Sequence, residues 1–169
     1  MSEQLAQSND NPDNLPHSMI PGWKVEIGSH TFTSEEIITF AKAYDPQPFH
    51  VDAEAAKNSL FGGLCASGWH TASIWMRKQR DFVKETMSER AAQGLPIPEF
   101  GPSPGFDNLK WLRPVFAGDT VTYANEILTC RTSKSKPGWY VMTARQSGKN
   151  QHGKPVISFE SMVLLKYPA

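Results

Sequence analysis

The sequence predicts an α+β chain in which a curved antiparallel sheet wraps one long helix. Two observations carry that prediction. Helical patterns fill the N-terminal half, the longest starting near Gly68, whereas four strand-like runs separated by short turns fill the C-terminal half. Sequential strands joined by short turns pair antiparallel, and a lone amphipathic helix must lay its apolar stripe on that sheet. At 169 residues the chain suits one domain with a sizeable core, and it shows no internal repeat. We expect a flexible leader over 1–18 and a single domain over 19–169.

Lys+Arg and Asp+Glu number 17 each, so the formal net charge is zero. That balance argues against a nucleic-acid or anionic-membrane partner. Cys65 and Cys130 form no CxxC and are too few for a disulfide framework or a zinc cluster; they read as reduced thiols, which fits a cytoplasmic protein. No apolar run approaches the roughly 20 residues needed to span a bilayer.

The leader is polar, rich in Asn, Gln, Ser and Pro, and aperiodic. Trp23 to Ile27 alternates weakly and reads as a short strand or edge. In FTSEEIITFAKAYD, Thr33 or Ser34 can cap, Glu35 and Glu36 sit in the first turn, and Ile37, Phe40, Ala41 and Tyr44 form one face. This short helix delivers Asp45. Pro46 and Pro48 then make DPQPFH a stiff extended loop that holds Asp45 and His50 at a fixed separation. Asp52 can cap a brief helix that breaks at Gly62–Gly63.

The long helix shows Trp69, Ala72, Trp75, Met76, Val83 and Met87 at helical spacing, with a break expected near Asp81 and a stop by Gly94. The segment GLPIPEFGPSPG is rich in Pro and Gly and reads as an irregular loop, longer than a plain connection needs, that would cover a tunnel mouth. Strands are expected at 106–115, 120–131, 139–147 and 155–167, with turns at Gly118-Asp119, Lys136-Pro137-Gly138 and Gly148–Gly153. An acid, an imidazole and the exposed N–H groups of a helix start together point to an active site.

These residues resemble the MaoC-like dehydratase family, which includes (R)-specific enoyl-CoA hydratases and has the hotdog fold. The resemblance runs from about Gly22 to Lys166. Its most specific part is Asp45-x4-His50 followed eighteen residues later by Gly68; LRPVFAGDTV, with Pro114 and Gly118-Asp119-Thr120, is a second. The resemblance implies an enoyl-CoA hydratase or 3-hydroxyacyl-CoA dehydratase. In it Asp45 and His50 hold and activate a water, and the Gly68 N–H binds the thioester oxygen. It further implies Gln47, Phe49, Ser67, Trp69 and His70 as substrate-binding residues. No metal or cofactor is needed beyond the CoA of the substrate, and a homodimer or dimer-based oligomer is expected. Two positions depart from the family pattern: Gln47 stands where Asn is common, and Ser67 where a His often precedes the glycine.

Plain readings stand beside these. Alone, Asp45 would cap a turn and His50 would be a structural histidine; the combination with Gly68 favours catalysis. Trp69, Trp75 and Met76 read as core or pocket wall. Arg113 and Lys110 could meet CoA phosphates, although surface solvation is the simpler reading, and His17, His30 and His152 receive no role. Two rival functions remain, a hotdog acyl-CoA thioesterase and a non-catalytic acyl-CoA-binding protein. The absence of Asp and Glu from Trp69–Met76 disfavours the first. Phe61, Trp69, Trp75 and Met76 point to a short or branched acyl group.

Overall fold

A computed structural model describes residues 15–167; most of the expected leader, residues 1–14, lies outside the described residues. The described part opens with a 3-10 turn at His17–Met19. Strand β1 (Lys24–Thr31) follows, longer than its weak alternation indicates. Helix α1 (Ser34–Tyr44) starts where Thr33, in extended backbone, accepts the Glu36 N–H on its hydroxyl at 3.2 Å. The helix buries Ile37 and Ala41 and ends at Asp45, whose following proline disfavours helical backbone.

The extended loop expected for DPQPFH is only half right. Asp45 to Gln47 is non-helical, but Pro48 opens a one-turn helix α2 (Pro48–Val51) that carries His50. Proline at the first helical position gives up only an N–H that the helix cannot use. Asp52 caps α3 (Ala53–Lys57), accepting the N–H groups of Glu54 and Ala55 at 2.8 and 3.0 Å.

Helix α4 (Gly68–Ala92) runs unbroken for 25 residues, about 37 Å. The break expected near Asp81 is absent; an Arg77–Asp81 ion pair at 3.2 Å lies along that turn. Its buried face is also shifted from the expected stripe. His70, Thr71, Trp75 and Arg90 are buried, while Trp69 and Met76 are about half exposed.

The sheet contains β2 (Glu99–Phe100), β3 (Gly105–Trp111), β4 (Thr120–Thr132), β5 (Trp139–Asn150) and β6 (Pro155–Lys166) with β1. Its order is β1-β4-β5-β6-β2, with β3 also on β6, and every pairing is antiparallel. Bulges interrupt the register in four of the five pairings, and each bulge adds bend and twist. β3 ends at Trp111, earlier than expected. Pro114 cannot donate to a ladder, and the N–H groups of both Leu112 and Arg113 turn to the Val156 carbonyl.

Helix α4 crosses the inner face of this sheet. Val121, Tyr123, Asn125 and Ile127 alternate inward along β4. The Tyr123 hydroxyl donates to the Thr71 carbonyl at 3.0 Å, and the Trp75 indole N–H donates to Asn125 Oδ1 at 3.3 Å. Asn125 in turn donates to Gln79 Oε1 at 2.5 Å. Trp75 meets Phe159 edge to face at 4.7 Å. Tyr123, Trp75 and Asn125 are thus paired between helix and sheet and fix the rotation and height of α4, whereas the buried Gln146 Oε1 and His70 Nδ1 have no partner among the described residues.

Candidate active site

The site forms where three short segments meet at the N-terminal end of α4. The first is the end of α1, which places Asp45. The second is α2, which places His50. The third, Leu64–Ser67, is pinned to the segment before β4: Ala66 N–H bonds Val115 O at 2.8 Å and Ala117 N–H bonds Leu64 O at 3.0 Å. Cys65 N–H also bonds Phe49 O at 3.2 Å, tying α2 to the start of α4.

His50 is buried, and its Nδ1 lies 2.6 Å from the Cys65 carbonyl. A carbonyl only accepts, so Nδ1 carries the proton of the neutral ring and Nε2 is left with a free lone pair. Nε2 lies 3.5 Å from Asp45 Oδ2. The other oxygen, Oδ1, accepts from the Gln47 amide at 3.3 Å. The Cys65 thiol sits 3.7 Å from His50 Nδ1, and burial pushes its pKa up to about 11. It stays protonated at neutral pH, so it is a poor nucleophile.

Asp45, His50, Ser67, Gly68 and Trp69 open on one cleft of about 470 Å³, walled also by Phe61, Trp111 and Arg113. Buried Ser67 caps α4, accepting the Trp69 N–H at 3.3 Å. Gly68 precedes the first helical hydrogen bond, from Thr71 N–H to Ser67 O at 3.1 Å, so its own N–H belongs to the unsatisfied helix start.

Five of the eight sequence-predicted site residues thus share the cleft, and three do not line it. Gln47 is exposed and contacts Asp45. Phe49 stands behind the wall, edge-on to His50 at 4.5 Å and to Phe61 at 5.0 Å. His70 is buried, stacked on Phe40 at 4.5 Å and edge-on to Phe32 at 5.1 Å. Burial lowers its pKa, with Glu36 opposing and His30 adding to that shift. One turn into the helix, its side chain points at α1 and not at the cleft.

The Pro/Gly-rich stretch is not the expected lid. Its β2 segment pairs with the end of β6, and Gly101 N–H bonds Leu164 O at 2.7 Å. Arg90 clamps its start, donating to Pro96 O and to the Tyr167 hydroxyl, both at 2.8 Å. It sits at the C-terminal end of α4, and none of residues 94–105 lines the cleft. Sequence reasoning missed two parts of the site, the Cys65 carbonyl that orients His50 and the Trp111 wall. A carbonyl has no sequence signal, and Trp111 reads as one more strand aromatic.

The chain matches the MaoC-like domain over residues 18–146. It belongs to the MaoC-like family. A MaoC-like dehydratase from Rhodospirillum rubrum is 32% identical, with TM-score 0.75 over 90% of this chain and 96% of that one. The uncharacterized protein YdeM of Bacillus subtilis is 26% identical over 79% of this chain and 86% of its own. An (R)-hydratase from A. caviae involved in PHA biosynthesis shares the fold, with TM-score 0.60 and 24% identity over 90% of this chain and 99% of that one. The fold is therefore the hotdog fold, a curled antiparallel sheet around a central helix.

Proposed function

We propose that this protein adds water to, or removes it from, an α,β-unsaturated acyl thioester. Asp45 and His50 are the acid–base pair, and the Gly68 N–H is the oxyanion donor. The observation that carries this reading is the 2.6 Å contact of His50 Nδ1 with the Cys65 carbonyl, which assigns the tautomer. With Nδ1 donating to Cys65 O at 2.6 Å, Nε2 and the Asp45 carboxylate are two acceptors 3.5 Å apart beside the cleft. One water can donate a hydrogen to each.

In the hydration direction His50 Nε2 takes a proton as the water oxygen bonds to the β-carbon. The π pair moves toward the thioester oxygen, whose charge is held at the start of α4 by the Gly68 N–H and the helix dipole. The α-carbon then collects a proton from the Asp45/His50 pair, which restores both groups. Only protons move, so the chain needs no cofactor besides the carrier on its substrate. Ser67 and Trp69 hold the helix start and wall the cleft, while Gln47 steadies Asp45.

Coenzyme A is the carrier we favour, with Arg113 at the cleft wall as a group that could meet its phosphates. The domain over 19–169 would act as a homodimer in the cytoplasm. The half-exposed Trp69 and Met76 on α4 support the dimer, as does β3, which pairs only with β6 among the described residues. The test is loss of conjugated-thioester absorbance with crotonyl-CoA while free thiol is followed in the same sample. Hydration predicts absorbance loss without thiol. Thiol release would point to a thioesterase, and binding of crotonyl-CoA without turnover to a non-catalytic acyl-CoA-binding protein.

A further inference from the structure

We propose that Trp111 is a specificity-determining residue, setting how much bulk the cleft accepts beside the thioester carbonyl. The inference rests on the function proposed above and adds to it the shape of the acyl group. A Cβ built on Gly68 would collide with Cε2, Nε1 and Cδ1 of the Trp111 indole. Three adjacent ring atoms meet that point at nearly one distance, so the five-membered ring lies face-on against the glycine. A side chain at Gly68 would have to displace the Trp111 indole.

The consequence follows from where the substrate would sit. An oxyanion donor lies about 3 Å from the oxygen it holds. The carbonyl carbon and its α-carbon are the next two atoms, so the indole seated on Gly68 stands beside them. Trp111 also lines the cleft and is braced edge-to-face by Trp69 at 5.2 Å. It closes β3 at the sheet edge and is 47% exposed in the single chain. A methyl group on the α-carbon would press on that face. The wall selects against α-branched acyl groups and leaves straight chains unaffected, which narrows the short-or-branched expectation to unbranched at the α-carbon.

The experiment compares crotonyl-CoA with its α-methyl analogue, 2-methyl-2-butenoyl-CoA, on wild type, Trp111→Phe and Trp111→Ala. The ratio of kcat/KM for branched over straight substrate should rise at least about tenfold in Trp111→Ala, the discrimination that one methyl group commands in a shaped pocket. It should stay within about threefold of wild type in Trp111→Phe, whose ring keeps most of the wall. Gly68→Ala should lower the melting temperature in the wild-type background and not in Trp111→Ala. An unchanged substrate ratio in an active, folded Trp111→Ala would overturn the wall and leave the hydration reading standing. If wild type hydrates neither substrate, the hydration reading itself fails. Calorimetric affinities for butyryl-CoA and 2-methylbutyryl-CoA then decide the wall, and no shift in their ratio between wild type and Trp111→Ala rejects it.

Discussion

At the scale of single residues, the candidate site is a set of hydrogen bonds that orient Asp45 and His50 toward one another. Gln47 donates to Asp45 Oδ1 and leaves Oδ2 facing His50. On the proposed mechanism Gln47→Ala should lower kcat about tenfold with little change in KM, since it loosens Asp45. His70 makes a different prediction. Its pKa is lowered from 6.5, chiefly by burial, so the unfolded chain binds a proton more readily than the native one. Its contribution to stability is complete above about pH 6.5 and is lost as the pH falls through the lowered value. Urea unfolding between pH 7 and 5 should show a shallower loss in His70→Leu than in wild type. That Asp45, His50 and Gly68 share one cleft was legible through their match to the family pattern. The turning of His70 toward Phe40 and Phe32 was not, because facing depends on where α1 packs.

At the scale of elements, α4 is held at both ends by buried polar contacts. Near its start the Tyr123 hydroxyl donates to Thr71 O, and Tyr123→Phe should cost about 1 kcal/mol in chemical unfolding. At its end Arg90 satisfies Pro96 O and Tyr167 Oη. Arg90→Met should destabilise by about 2 kcal/mol. It should also speed amide exchange over residues 94–105 while leaving the preference among acyl-CoAs unchanged, because that stretch is sheet edge and not lid. A cap at Thr33 or Ser34, the cap at Asp52 and the long strands were readable from local chemistry; the structure selects Thr33. The unbroken α4 was misread although Arg77 and Asp81 form a local i,i+4 pair, whereas the short β3 depends on the Val156 carbonyl that the N–H groups of Leu112 and Arg113 meet.

At the scale of the whole molecule, backbone pairing outside the six strands assembles the cleft. Leu64–Ala66 pairs with Val115–Ala117 and the Cys65 N–H bonds Phe49 O, so the start of α4, the segment before β4 and α2 converge on one cleft. The central claim is that Asp45 and His50 act as one unit on one water. The most direct test is a kinetic cycle on crotonyl-CoA hydration with Asp45→Asn, His50→Gln and the double variant, each checked for folding. Each single variant should lose at least about a hundredfold in kcat, and the double variant should be no worse than the poorer single by more than a few-fold. Losses that multiply in the double variant, or a single variant with wild-type rate, would contradict the shared-water account.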